Sequence, residues 1–450
     1  MKKTIAGTIA GLAVAGMAYS QSQRPNILYI FTDQQNAMAM SCAGNPDLKT
    51  PHMDRIAREG IRFTNAYCAA PLCTPSRAAM FTGLPPGKLN QLVNGTEIPE
   101  QYRKNTLGFL AAEAGYDCAY AGKWHLPGDI RDQEFGFRVL HGHNDIGLAE
   151  ACAGFLKQKR DKPFFLVASL DNPHNICEYV RDQNIFFAEI EEPHINQCPN
   201  LPANFGINPY DAEVIRAEQQ AGYKIYPVAN YTPDDWRRYR NAYYRLVEAV
   251  DAEIGKIVTA LEKQGLLEQT VIIFSSDHGD GNAAHQWNQK SALYEETINI
   301  PLLVRLPGKR NAGKVLPQLI NNGVDLFPTI CEFAGAGTPA YCKGKSFKGI
   351  AEQGAGSEIR EALVTETLFD GSTTKGWAVR TPGYKYVVYD KGKNREQLYD
   401  MQTDRGEMVN LAVEENYRQI LDQHRKLLVQ WHEENGIPKD RRATPQLRNH

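Results

Sequence analysis

Four short apolar runs in this chain each stop abruptly at polar residues, and that pattern constrains the fold more than any other feature. Asn26 to Phe31 runs into Thr32-Asp33-Gln34, and Tyr116 to Ala121 runs into Gly122-Lys123-Trp124-His125. Pro163 to Leu170 runs into Asp171-Asn172-Pro173-His174, and Thr270 to Phe274 runs into Ser275-Ser276-Asp277-His278-Gly279-Asp280. Strands that are apolar at nearly every position, not at alternate ones, belong to sheets covered on both faces. Open α/β sheets bind ligands outside the carboxyl ends of their strands. The expected architecture is therefore α/β: a large mixed, mainly parallel sheet sandwiched by helices, with Asp, Gln, Lys and His delivered to one catalytic rim.

The segments between the strands read as helices. Thr232-Pro233-Asp234-Asp235 combines a capping Thr, a first-turn Pro and acids that suit a helix N-terminus. From Trp236 to Leu261 apolar residues recur at spacings of three and four, as far as a stop at Gly265. These aromatics read as core. Cys177 to Tyr231 is rich in Pro, Asn and acids, with patchy periodicity. It reads equally as a lid near the catalytic rim or as a surface excursion.

Past residue 370 the pattern changes. Gly376 to Thr381 and Tyr384 to Tyr389 alternate as strands around Pro382-Gly383, Gln397 to Asp400 follows, and a helix is expected from Tyr417 to Trp431. The reading is a catalytic domain over 21–370 and a C-terminal α+β subdomain over 371–450, an antiparallel sheet plus helix. A 450-residue chain can bury roughly three quarters of its unfolded surface, so it needs no covalent staples.

The N-terminus reads as an export signal. Lys2 and Lys3 precede an apolar run from Thr4 to Met17, and Ala18-Tyr19-Ser20 offers small residues for cleavage. The run is short and rich in Ala and Gly, which argues against a stable membrane anchor. Residues 1–20 are expected to be a signal peptide, and the mature chain periplasmic or secreted. A net charge of −2 without a basic stripe argues against nucleic acid as a partner. Nine cysteines in an exported chain point to disulfides, and the odd count leaves at least one without an internal partner.

One cysteine stands apart. Cys73-Thr74-Pro75-Ser76-Arg77, continuing to Gly83, is neither a zinc spacing nor a redox pair. Together with Arg24-Pro25-Asn26-Ile27-Leu28, Thr50 to Ala57, Gly60 to Tyr67, Gly122-Lys123-Trp124-His125, Pro173-His174, Ser276-Asp277-His278-Gly279, Lys290 and Leu293 to Glu296, it resembles the type I sulfatases of the alkaline phosphatase superfamily. The resemblance spans nearly the whole mature chain. It implies that a formylglycine-generating maturase reads Pro75 and Arg77 and oxidises Cys73 to formylglycine (3-oxoalanine). The hydrated aldehyde then attacks sulfur through one hydroxyl, and deprotonation of the other expels sulfate. Assigning Cys73 to chemistry leaves eight cysteines. A helix expected to start at Ser76 would aim its N-terminus at the anion.

The resemblance also assigns the neighbours. Asp33, Gln34, Asp277 and His278, with Cys73, form a metal site suited to Ca2+. Gln34 stands where many members have Asp, and His278 where many have Asn. Both variants also look like those of phosphonate monoester hydrolases and choline sulfatases, and a nitrogen ligand leaves Mn2+ or Mg2+ open. Arg77 would hold the formylglycine oxygens, Lys123 the sulfate, and Lys290 the leaving-group oxygen. His125 would serve as base in sulfate elimination and His174 as acid toward the departing alcohol. Asn94, in Val93-Asn94-Gly95, reads either as an anion contact or as a plain turn. His285 and Trp287 are candidates to meet the organic part of the substrate.

The expected function is hydrolysis of sulfate esters on a sulfated carbohydrate outside the cytoplasm. Two rivals stay open. One is a phosphonate monoester or phosphodiester hydrolase of the same superfamily. The other is a catalytically dead carbohydrate-binding homologue in which Cys73 remains a thiol.

Overall fold

The computed structural model describes residues 24–128 and 135–443. The signal-peptide reading of residues 1–20 lies outside them. The large sheet has eight strands: β1 Asn26–Asp33, β2 Ile61–Tyr67, β3 Asp117–Gly122, β4 Arg138–His141, β5 Phe164–Pro173, β6 Thr270–Ser276, β7 Leu302–Arg305 and β8 Lys314–Asn321. Their order is β4-β3-β5-β1-β6-β7-β2-β8. All run parallel except β7, which is antiparallel to both of its neighbours. The four apolar runs are β1, β3, β5 and β6, at the centre. Every residue of β1 and β6 is buried, the burial that an apolar run without alternation requires.

Side chains of a strand alternate between faces, so β1 feeds two cores. Ile27, Tyr29 and Phe31 pack with Ala78, Met80 and Phe81 on one face. Leu28 and Ile30 pack with Tyr239, Tyr243 and Leu246 on the other. The second group comes from the helix Pro233–Lys263, which Thr232 and Asp235 cap reciprocally as its sequence prescribes. Register then aligns the rim. Thr32 lies opposite Ser276, Asp33 opposite Pro173, and Gly122 opposite Ser169.

The second sheet is antiparallel, with β9 Leu363–Leu368, β10 Lys375–Arg380, β11 Tyr384–Tyr389 and β12 Glu396–Asp400 in the order β12-β11-β10-β9. The helix Arg418–Glu434 covers one face through Leu421 and Leu428, against Val364, Trp377, Val379, Tyr386, Val388 and Leu398. Strand β9 precedes residue 371, so the small sheet begins earlier than the change in pattern. It also ties the two sheets together: Glu366 N donates to Ala69 O at 2.9 Å, and Thr365 Oγ1 to Cys68 O at 2.7 Å.

The expectation of disulfides is not met. All nine cysteines are free, and seven of them are buried. Apart from Cys73, several fill the core as small apolar residues, Cys68, Cys118 and Cys331 in one cluster and Cys152 in the other, which is the usual role of a buried thiol.

Candidate active site

The helix expected from Ser76 begins at Cys73. Ser76 N donates to Leu72 O at 3.0 Å, so the first turn already closes around Cys73. Pro75 has no N–H to leave unpaired, which suits that turn. The whole helix Cys73–Thr82 is buried. Thr74 N donates to Asn94 Oδ1 at 3.1 Å. Asn94 therefore pins the amide next to Cys73 and is more than a turn residue.

Arg77 organises the floor. Its Nη2 lies 3.0 Å from Asp33 Oδ2 and its Nε 2.8 Å from Asp277 Oδ2. Its Nη1 donates to Ser169 Oγ at 3.0 Å and to Lys123 O at 2.5 Å. Lys123 Nζ lies 2.8 Å from both Asp33 Oδ2 and Asp171 Oδ1. The guanidinium and both Asp carboxylates are fully buried, and buried charges persist only when paired in this way.

Cys73 Sγ sits above this floor, 3.5 Å from Asp33 Oδ1, 3.2 Å from His278 Nε2 and 3.2 Å from Lys290 Nζ. Burial and Asp33 push its thiol up, but Lys290, His278 and Lys123 outweigh them and hold it well below the ordinary thiol value. Burial alone would raise Asp33, yet Lys123, His174, Lys290 and Arg77 keep it well below the usual carboxylate range. Asp277 goes the other way, to about 6, through burial and the nearby Asp33 charge.

The donor set has the chemistry of a divalent-cation site. Asp33, Cys73, Asp277 and His278 each present a ligand atom within 4.8 Å of the others. His278 Nδ1 faces Gly279 O at 3.0 Å, and Nε2, aimed at the carboxylates, would be the ligand atom once a cation displaced its proton; without one, the Asp277 and Cys73 charges outweigh burial and raise the ring's pKa. Two carboxylates and an oriented imidazole fit a cation. Gln34 Oε1 faces the same space, 3.0 Å from Lys290 Nζ, while its Nε2 donates to Asp280 Oδ2 at 2.8 Å and to Gln289 Oε1 at 3.2 Å.

The two histidines stand where the site opens, both half-buried. Burial, Lys290 and Lys123 hold the His174 ring well below its usual value. His125 is fixed through its backbone, whose carbonyl accepts from Thr74 Oγ1 at 2.8 Å. Its Nδ1 is buried without a partner among the described residues.

His285 and Trp287 do not reach an open surface. His285 is fully buried and stacks on Tyr294 at 4.1 Å. Trp287 lies among apolar side chains, and its Nε1 donates to Lys290 O at 3.2 Å. The reason is the loop path: Ala283, His285 and Gln286 have positive φ, which tucks the segment inward. Trp287 braces Lys290 and is not placed to stack on a sugar.

Several participants were not singled out from the sequence. Asp171 and Asp280 stood inside the quoted strand ends but had no role assigned. Asp145 is a buried carboxyl that accepts from Asp171 N at 2.6 Å and Asn172 N at 2.9 Å, so it braces the turn carrying His174. Tyr243, read as core, donates its hydroxyl to Gln34 O at 2.8 Å, and Tyr239 donates to Asp280 Oδ1 at 2.8 Å. The Cys177 to Tyr231 segment packs on the rim: Cys177 Sγ lies 2.9 Å from Gln289 Oε1, and Arg216 Nη1 donates to His285 O at 3.0 Å.

Fold and rim together define a hydrolase of the alkaline phosphatase type, built around a buried cluster of paired cations and carboxylates. The chain belongs to the sulfatase family, whose profile matches residues 25–336, and it is a sulfuric ester hydrolase. A second profile, N-sulphoglucosamine sulphohydrolase C-terminal, matches residues 283–434. The chain is 30% identical to a Δ4,5-hexuronate-2-O-sulfatase of Bacteroides thetaiotaomicron, over 98% of this chain and 96% of that one. It is 28% identical to an N-acetylglucosamine-6-O-sulfatase of the same organism, over 91% and 87%. Among solved structures, a 2-O GAG sulfatase superposes with a TM-score of 0.80 at 29% identity, over 92% of this chain and 93% of that one. The phosphonate monoester hydrolase of Agrobacterium radiobacter shares the fold, with a TM-score of 0.74 at 22% identity over 92% and 96%.

Proposed function

We propose that this chain is an exported sulfatase that removes sulfate from a sulfated carbohydrate, using a formylglycine made from Cys73. The observation that carries the reading is the setting of Cys73: first turn of a buried helix, 3.2 Å from both Lys290 Nζ and His278 Nε2. A lone structural thiol has no need of so many ionised neighbours. The sugar sulfatases among the relatives support a carbohydrate substrate.

Asp33, Gln34, Asp277 and His278 would hold a divalent cation, calcium foremost, with manganese and magnesium also compatible with the donors. Bound there, it supplies Lewis-acid polarisation at position 73. Formylglycine supplies an aldehyde whose hydrate is the nucleophile. The rest is done by encoded side chains. Arg77 holds the two Asp carboxylates in place. Lys123 and Lys290 are cations on two sides of position 73, placed to take the charge of the sulfate oxygens. An anion between them offsets the charges that depress His174, so substrate binding itself raises that ring's proton affinity and readies it to protonate the leaving alcohol. His125, anchored by its backbone, takes the proton whose loss releases sulfate.

The test is direct. The peptide spanning Cys73, from protein made in the native host, is examined by mass spectrometry alongside turnover of an aryl sulfate and an aryl phosphodiester. An aldehyde with preferred sulfate turnover supports the reading. An unmodified thiol, or a strong preference for the phosphodiester, overturns it. Cys73→Ala should fold and lose turnover.

A further inference from the structure

Beside the reacting centre lies a cavity of about 510 Å3 whose wall includes Asp171, the residue that takes Lys123 Nζ at 2.8 Å. Its volume falls within the range of ligand pockets, about 300–1,000 Å3. Asn172 and Asn175, on either side of Pro173-His174, also line it. It therefore lies beside the turn that carries His174.

The wall has a distinct chemistry. Phe186 is 83% exposed and Ile146 59% exposed, and both line this cavity. One exposed apolar residue needs no explanation, but two at the same cavity form a platform. The polar lining comes from carboxylates and amides, including Asp171, Glu178, Asn144 and Asn184, and among the described residues contains no lysine or arginine. Among the described residues, the nearby basic groups are engaged or held neutral: His143, whose Nε2 lies 3.7 Å from Asp171 Oδ1, is kept below its usual value by burial. Lys123 is paired with Asp33 and Asp171, and the Arg181 guanidinium lies over the Tyr226 ring at 4.7 Å with Glu178 at 3.9 Å. Acceptors and amides suit sugar hydroxyls, and an aromatic face suits the C–H face of a pyranose. A carboxylate or sulfate in the same place would meet like charge, which selects against it.

We propose that this cavity is the subsite for an uncharged sugar unit attached to the sulfated one. The substrate class is then an oligosaccharide whose sulfated residue adjoins a neutral hexose or N-acetylhexosamine, not a uronate or a second sulfated sugar. This rests on the sulfatase reading above.

The test uses the formylglycine-bearing enzyme and a set of sulfated disaccharides. The sulfated unit is held constant and the neighbour is a hexose, an N-acetylhexosamine or a uronate. Neutral neighbours should give the higher kcat/KM. Phe186→Ala should raise KM for neutral-neighbour disaccharides about five- to tenfold, the worth of one aromatic contact, and leave aryl sulfate turnover unchanged. Glu178→Gln should narrow the gap between neutral and anionic neighbours. Equal turnover of the uronate disaccharide, or a Phe186→Ala effect that is the same on aryl sulfate, overturns the proposal. Absence of aryl sulfate turnover by the aldehyde-bearing enzyme would sink the sulfatase reading instead. Saturation-transfer NMR with lactose then decides the subsite by itself: transfer that Phe186→Ala abolishes supports it, and no transfer to wild type removes it.

Discussion

At the scale of single residues, Arg77 is the least replaceable side chain of the site after Cys73. Its three nitrogens reach Asp33, Asp277, Ser169 and the Lys123 carbonyl. A lysine has one point charge and cannot make these contacts together. Arg77→Lys should therefore leave one buried Asp uncompensated and cost about 3–5 kcal/mol of stability, read from urea unfolding. Tyr243→Phe is the subtler case. It keeps the ring in the core but removes the hydroxyl that donates to Gln34 O and accepts from Asn36 N at 2.9 Å. Gln34 has a φ of 73°, a left-handed conformation that a non-glycine residue holds only under constraint. Releasing it should weaken activating-metal affinity about tenfold, measured by metal titration of activity. The two sites differ in how readable they were. Asp33, Lys123, His174 and Asp277 announced themselves at the ends of apolar runs. The Tyr243 hydroxyl did not, because a 3.6-residue period says which face points inward and nothing about what a buried hydroxyl meets there.

At the scale of elements, the readable strands were the central ones, which are buried on both faces. Strand β2 was missed as a strand because Arg62, Thr64 and Asn65 are only half-buried and interrupt the run. The helix after Leu72 was placed late because its N-cap residue, Leu72, has no side chain that can cap it. Strand β9 was missed because three consecutive polar residues, Thr365, Glu366 and Thr367, interrupt its apolar positions, although all three are buried. Glu366 is one of these. It is buried, its Oε2 accepts from Gly87 N at 2.9 Å, and burial pushes its carboxyl up to about 7. A folded-state value above the unfolded one means that the protonated form is favoured by folding. That contribution is complete below about pH 4.5 and is lost as pH rises through about 7. Glu366→Gln should abolish the loss and stabilise the protein at pH 8 by up to roughly 3 kcal/mol, seen as a higher Tm and a flatter Tm-against-pH curve.

At the scale of the whole molecule, the C-terminal sheet holds the catalytic rim in place. Tyr389 of β11 lies in the same apolar cluster as Trp287 and Leu293, and its hydroxyl accepts from Leu293 N at 3.3 Å. Trp287 in turn holds the Lys290 carbonyl, so one cation of the site depends on the small sheet. The electrostatic link is Lys385, fully buried on β11, with its Nζ 2.6 Å from Glu407 Oε1 and 3.6 Å from Glu295 Oε2. Glu295 also accepts from Tyr67 Oη at 2.7 Å, which reaches strand β2 of the large sheet. Removing the lysine alone leaves two buried carboxylates facing each other. Lys385→Met should therefore cost about 3–5 kcal/mol and lower kcat, because the segment from Lys290 to Glu295 loses its far anchor. Adding Glu407→Gln removes one of the stranded charges, so the double variant should recover most of the stability. Circular dichroism and activity followed through one thermal ramp distinguish the alternatives. If both sheets belong to one cooperative unit, the two signals melt together in wild type and in the double variant. A separate early loss of activity in wild type would show that the small sheet is not what positions Lys290.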